Sequence, residues 1–192
     1  IEVGFPTSGF SSSDLFIIDT DGALVLNRAT AATATGGGID AVSPAVHVHT
    51  LNGEFVTTIM IDIGAGGIIS SAHANDVIGE DGVANAYLTR ITDAVNGIIY
   101  RGEMSCIEVP TTGDPNINLA ANTDGTLAED ADGSTEHTIV VAGGAWTKGL
   151  TKPVGLPAGG ITNDFLYLTH AGTVAGEYDA GKFMIKLYGA NF

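Results

Sequence analysis

The stretch AVHVHTLNGEFVTTIMIDI, Ala45–Ile63, decides the fold class. Two runs of alternating apolar and polar residues flank Asn52-Gly53, the dipeptide preferred in two-residue type I′ turns, and that pattern is a β-hairpin. With such a turn Leu51 faces Glu54, His49 faces Val56 and His47 faces Thr58. Side chains alternate across a strand, so Val46, Val48, Thr50, Phe55, Thr57 and Ile59 share one face. His47, His49, Leu51, Glu54, Val56, Thr58 and Met60 share the other. The first set reads as the core face and the histidine set as the outer one.

More strands follow on both sides. LFIID (Leu15–Asp19) and ALVLN (Ala23–Asn27) flank Asp21-Gly22 as a second hairpin. Downstream, Ile98–Val109 reads as a long strand bent near Gly102, with a short strand at Ile117–Leu119. His137–Ala142, AWTKGL (Ala145–Leu150), Phe165–His170 and Lys182–Tyr188 read as strands too. In the last of these Phe183, Ile185 and Leu187 alternate with Met184, Lys186 and Tyr188, so both faces are apolar. That pattern asks for cover on both sides: the domain's own core on one, a neighbouring subunit on the other. One helix is expected, about residues 83–95, because Val83, Ala84, Tyr87, Leu88, Ile91, Ala94 and Val95 trace a helical face. Asp81 suits its N-cap and Gly97 its C′ position. RATAATATGGGID, with Gly36, Gly37 and Gly38, reads as loop or extended arm. The expected architecture is mainly β: a jelly-roll-like β-sandwich over residues 43–192 with one short α-helix. Residues 1–42 form an N-terminal arm with a short hairpin.

Composition narrows the function. Of 192 residues 44% are hydrophobic and 15% charged, below the usual quarter, and 27 are glycine, which suits a turn-rich β protein. The net charge is −15, and no Lys or Arg occurs between Ala29 and Thr89 or between Gly102 and Thr147. A nucleic acid or a bare anionic membrane is therefore not an expected partner. The single cysteine, Cys106, excludes an internal disulfide and reads as an inert buried thiol. No stretch reads as a membrane span or signal peptide. Because initiator removal does not normally follow Met-Ile, the start at Ile1 is expected to be processed or preceded by further residues.

Chemistry-bearing residues are sparse. His47 and His49 place two imidazoles on one strand face at metal-sharing pitch, against the plainer reading of two surface histidines. Asp130 and Asp132, with Gly133, have calcium-loop spacing, but Ala128 and Ile139 fall where an EF-hand needs ligands, and a solvated acidic loop is the plainer reading. Ser71, His73 and Asp76 lie together in SSAHAND without a GxSxG turn. Trp146 is the only tryptophan, so a glycosidase platform is not expected. The residues point to no enzyme and no cofactor.

A resemblance adds to this. NGEFVTTIMIDI, DVIGEDGVANAYLTRITDAVNGIIYRGEMSCIEVP, LPAGGITNDFLYLTHAG and YDAGKFMIKLYG resemble virion structural proteins of marine tailed bacteriophages, including cyanophage-like viruses, over roughly Val46–Gly189. Asp179 stands where that family's ending often has Thr, and Phe165 precedes Leu166-Tyr167-Leu168; neither alters the strand pattern. The resemblance implies a capsid decoration or cement protein on the virion surface, assembled in the host cytoplasm. Its partners would be sister subunits, as a homotrimer or other cyclic oligomer, and the major capsid protein. The expected subunit or capsid interface is Phe183, Ile185, Leu187, Tyr188, Trp146 and Gly36–Gly38. Two other readings stand beside it. A tail- or fibre-associated glycan binder wants exposed aromatics such as Trp146 and Tyr178. A secreted bacterial adhesin or surface-filament subunit wants a signal peptide upstream of Ile1.

Overall fold

The computed structural model describes residues 15–18, 24–27, 35–42, 44–51, 53–132 and 138–191, with side chains described for all of these except 15–18, 24–27 and 51. It is mainly β, with 48% of residues in strands and 9% helical. The 45–63 hairpin forms β3 (Ala45–Leu51) and β4 (Glu54–Asp62). They pair in the register expected from the Asn-Gly turn: Leu51↔Glu54, His49↔Val56, His47↔Thr58. Gly53 has φ 83, the positive value such a turn demands; Asn52 lies outside the described residues. Val48, Thr57 and Ile59 are buried, while His47, His49 and Met60 are exposed, so the hydrophobic pattern sets the faces as well as the register. β1 (Leu15–Ile18) and β2 (Leu24–Asn27) pair as the second expected hairpin, its Asp21-Gly22 turn being outside the described residues.

Two larger sheets are built from the remaining long strands. Antiparallel β11 (Thr151–Pro153), β8 (Ile98–Thr111), β14 (Ala180–Ala190), β4 and β3 make one, in that order. The other runs β10 (Thr138–Val141), β9 (Ile117–Asn122), β12 (Phe165–His170), β7 (Tyr87–Arg90). One apolar core joins them: Ile59, Ile61, Met104, Cys106, Phe183, Ile185 and Leu187 of the first pack with Leu88, Leu119, Val140, Leu166 and Leu168 of the second. Three short strands, β13 (Gly176–Glu177), β5 (Ile68–Ser70) and β6 (Gly79–Glu80), form a small sheet from the connections β4–β7 and β12–β14. The AWTKGL segment is not a strand: residues 145–150 are loop and turn, and the strand starts at Thr151.

The helix expected at 83–95 is absent, and this is the largest correction. Residues 83–86 have no regular structure, 87–90 are β7, and the α-helix is a single turn, α1 (Asp93–Asn96). Its backbone groups find partners across the fold instead. Thr89 and Arg90 are opposite Leu166 and Phe165 of β12. Gly36 N–H donates to Tyr87 O (2.9 Å) and Gly38 N–H to Asn85 O (3.2 Å). Asn85 sits at φ 63, outside the helical region. The apolar spacing that mimics a helix puts Leu88 and Ile91 in the core from extended backbone. Gly97, expected as the stop, does end α1 with φ 69, and its N–H bonds Asp93 O.

The same contacts place the glycine run inside the body. Gly36 and Gly38 are buried, and a Cβ on Gly36 would lie 1.7 Å from Asn85 O. The following 3-10 turn, Gly37–Val42, sends Ile39 and Val42 into the core, so packing begins before residue 43. Residues 1–14 and 28–34 of the expected arm lie outside the described residues.

Gly36→Ala forces that carbonyl to move. It should cost about 1–3 kcal/mol, read as a lower urea midpoint with unchanged slope. An unchanged midpoint would contradict the seating of residues 36–38 on 83–87.

Candidate functional site

One end of the two large sheets gathers most of the polar chemistry. Ser71, His73 and Asp76 stand on the connection from β5 to β6, and Asp130 and Asp132 on the connection after β9. Val77 clasps the two segments, donating to Ala131 O (3.1 Å) and accepting from Asp130 N–H (3.2 Å). This brings ligand atoms of His73, Asp76 and Asp130 within 4.8 Å of one another, the one such group among the described residues. Asp132 and Thr173 line the same concave surface.

Asp76 is the buried member, 3% exposed. Its carboxylate accepts from Ser71 Oγ, and His73 Nδ1 lies 3.7 Å from Oδ2. Burial raises its pKa, as does the facing Asp130 carboxylate, against the pull of the Ser71 bond and His170. Glu129 next door is pushed to about 7 by burial, then by Asp130, Asp81 and Asp76. Two facing carboxyls favour a shared proton or a cation, although Asp130, unlike Asp76, is exposed to solvent. Three donors from two loops are too few for a closed calcium shell of about six to eight oxygens, so water would complete it.

Behind this surface sits a fully buried imidazole. His170, the last residue of β12, has Nε2 3.4 Å from Ser71 Oγ and Nδ1 3.8 Å from Asp114 Oδ2. The sequence of groups is that of a serine–histidine–aspartate relay. The environment differs from a nucleophile's: His170 and Asp114 are 0% exposed, and the Ser71 proton goes to Asp76. Asp114 works as a loop clamp, accepting from Asn116 N–H (2.8 Å) and Val174 N–H (3.1 Å) while its carbonyl accepts from Tyr178 Oη (2.9 Å).

The residues singled out by sequence are distributed as follows. His47 and His49 are exposed on β3, in no ligand group with another His, Cys, Asp or Glu among the described residues. Asp130 and Asp132 do share a pocket, but Asp130's closest ligating companions are His73 and Asp76. Phe183, Ile185 and Leu187 fill the chain's own core, leaving Met184, Lys186 and Tyr188 on the outer side of β14. Tyr188 lies under the Arg101 guanidinium at 4.0 Å. Trp146 is 4% exposed, edge-on to Phe183 at 5.2 Å, with Lys152 Nζ 4.2 Å over its ring and Nε1 donating to Ile117 O (2.8 Å). Tyr178 is 1% exposed, so neither aromatic is a loop-tip platform. Sequence reading missed the pairing of Asp76 with Asp130 and of His170 with Asp114. Each joins loops far apart in the chain, and only the density of polar groups in SSAHAND hinted at the first.

Compared with protein families, curated protein sequences and solved structures, the chain matches none of them.

Glu129 supplies a pH test. Its folded value, about 7, lies above the ordinary 4.5, so the folded state favours the protonated form. Stability from this group is complete below pH 4.5 and is lost as pH rises through 7. Glu129→Gln should raise the thermal midpoint at pH 8 and leave it unchanged at pH 4, measured by paired melts.

Proposed function

We propose that this chain is a structural protein of a phage particle, a decoration or cement subunit on the outer shell, and that its body is a jelly roll. The strand order supports the second part. Lettered B to I along the chain, β4, β7, β8, β9, β10, β11, β12 and β14 fall into sheets ordered G-D-I-B and F-E-H-C. That is the interleaving of the eight-stranded double-sheet jelly roll, an architecture shared by viral capsid and lectin domains. β3 extends it at the B edge.

The observation that carries the function is the outer face of the five-stranded sheet. Met60 (49% exposed), Ile98 (51%) and Tyr100 (47%) stand on it, with half-buried Val56, Met184 and Tyr188 between, and Ile107 (41%) bulges from its far end. Apolar residues sharing a face mark a contact surface more than the same residues scattered singly. At ~25 cal/mol per Å2, modest burial of such a face repeated over a shell gives substantial cohesion. Charge supports the exterior position. The −15 chain repels packaged nucleic acid. Several of its cations are engaged within the chain: Arg90 on Phe165, Arg101 on Tyr188, Lys152 on two carbonyls, and Lys182 between Asp62 and Glu108. The motif resemblance points the same way.

Native mass spectrometry and light scattering of the whole chain should find a closed homo-oligomer, and added protein should raise the heat resistance of shells that lack it. Met60→Asp with Ile98→Asp should abolish both effects and leave the monomer's circular dichroism intact. A monomer that binds no shell would overturn the reading.

A further inference from the structure

His73, Asp76 and Asp130 meet on the concave surface between the β5–β6 connection and the segment after β9, and the proposed assembly uses none of them. Each offers one ligand atom, and these atoms all lie within 4.8 Å of one another. The set is mixed: one imidazole and two carboxylates. Two carboxyls that merely share a proton need no imidazole at that spacing.

Asp76 supplies a second, independent observation. It is 3% exposed, yet it lines the surface. Its hydrogen bond from Ser71 Oγ falls on Oδ2, and no N–H or hydroxyl among the described residues donates to Oδ1. No Lys or Arg forms an ion pair with Asp76 or Asp130 among the described residues. The neighbouring sequence offers none, since Ala29–Thr89 and Gly102–Thr147 contain neither residue type. A buried carboxylate that faces a second carboxylate is costly unless positive charge lies between them.

We propose that His73, Asp76 and Asp130 form a binding site for one divalent transition ion, zinc fitting best, and that the ion staples loop 71–76 to segment 128–132. The spacing suits such an ion. His73 Nδ1 stands 3.7 Å from Asp76 Oδ2, too far for a hydrogen bond. Ligand atoms about 2.1 Å from a tetrahedral zinc lie about 3.4 Å apart, so a shift of a few tenths of an ångström closes the set. The donor types choose the metal. Imidazole nitrogen with carboxylate oxygen suits zinc, whereas calcium and magnesium take oxygen alone. Three protein donors on an open surface leave the fourth position to water.

The backbone holds the donors in place before any ion arrives. His73 N–H donates to Ser71 Oγ (3.2 Å) and Asp76 N–H to His73 O (3.4 Å), which keeps two of the donors on one turn. Val77, the next residue, accepts from Asp130 N–H and donates to Ala131 O, which fixes the third donor against that turn. The Ser71 hydroxyl orients the Asp76 carboxylate from behind and leaves Oδ1, and one lone pair of Oδ2, for the ion. The His73 side chain is 84% exposed, so its ring is free to close on the metal.

The test titrates the whole chain, freed of metal with EDTA, with zinc chloride in one arm and calcium chloride in another, by calorimetry and by thermal melts. We expect one zinc per chain and a thermal midpoint raised by about 5 °C at roughly a hundredfold excess over Kd, reversed by EDTA. Calcium at the same concentration should do neither. In 15N-histidine spectra the His73 Nδ1 signal should shift on zinc addition. His73→Ala and Asp130→Asn change exposed side chains, so the fold should persist by circular dichroism. Each should weaken zinc binding by at least the roughly tenfold that loss of even a supporting group costs a metal site. His47→Ala with His49→Ala, which removes the exposed imidazole pair of β3, should leave zinc binding as it was. No zinc binding would overturn the site and leave a shared proton between the carboxyls. Binding unchanged by the His73 and Asp130 variants, binding lost with His47 and His49, or calcium bound as tightly as zinc would each overturn it as well.

Discussion

The structure depends on the seating of β14 between β4 and β8. Along its length it is hydrogen-bonded to both neighbours, from Lys182 opposite Asp62 to Ala190 opposite Glu54, and from Ala180 opposite Thr111 to Ala190 opposite Ile98. Phe183, Ile185 and Leu187 form the floor of the shared core, and Trp146 closes over Phe183. The last strand of the chain is thus the middle strand of its larger sheet. Until it is in place, β8 and β4 have no pairing with each other, and the core face of both strands is open. Most contacts outside the β3–β4 hairpin join residues far apart in the chain, which predicts slow folding for the size and makes the final ten or so residues decisive.

That arrangement also shows what could be read from the chain and what could not. The 45–63 hairpin was legible because turn chemistry and alternation agree: Asn52-Gly53 sets the register, and Val48, Thr57 and Ile59 set the faces. Phe165–His170 and Ile98–Val109 were legible for the same reason, being β-rich runs with clear ends. Residues 83–95 were not. Their apolar spacing fits a helix, and only the distant partners, β12 and the Gly36–Gly38 run, impose extended backbone. Tertiary pairing overrode local pattern there, and the β-branched Thr89, Ile91 and Thr92 made the override cheap. The same partners explain the glycine run: read alone it is a flexible arm, but read with Asn85 and Tyr87 it is a place where two backbones touch. The acidic end was legible only as composition, since Asp76, Asp114, Asp130 and His170 are joined by folding alone.

The two sheets answer the demand for two-sided cover differently. On the smaller one, the outer side of β9 and β12 carries Ala120, Tyr167 and Phe165, and the chain covers it itself. Leu127 packs there, Tyr167 Oη donates to Asp124 O (2.6 Å), Ala86 N–H donates to Leu127 O (2.8 Å), and Gly125 lies against the Phe165 ring. This second small core explains why Phe165–Leu168 is apolar on both faces without any partner subunit. On the larger sheet no such loop crosses β14 among the described residues, and Met60, Ile98 and Tyr100 stay exposed there.

The contrast bears on where association could occur. A face already sealed by its own loop has little apolar area left to bury, so a sister copy gains nothing by docking on it. The open face of β3, β4, β14 and β8 still has that area. It is also chemically mixed in a way that suits a specific contact: Arg101 stacked on Tyr188, Tyr100 bonded to Glu54, and Lys182 held by Asp62 and Glu108 are polar groups already satisfied within the chain. Covering satisfied groups costs far less than covering free ones, because no partner has to be supplied across the interface. If copies of this chain meet, the physical terms favour that sheet. The apolar alternation of the closing strand is then explained twice over, by the core beneath it and by the surface above.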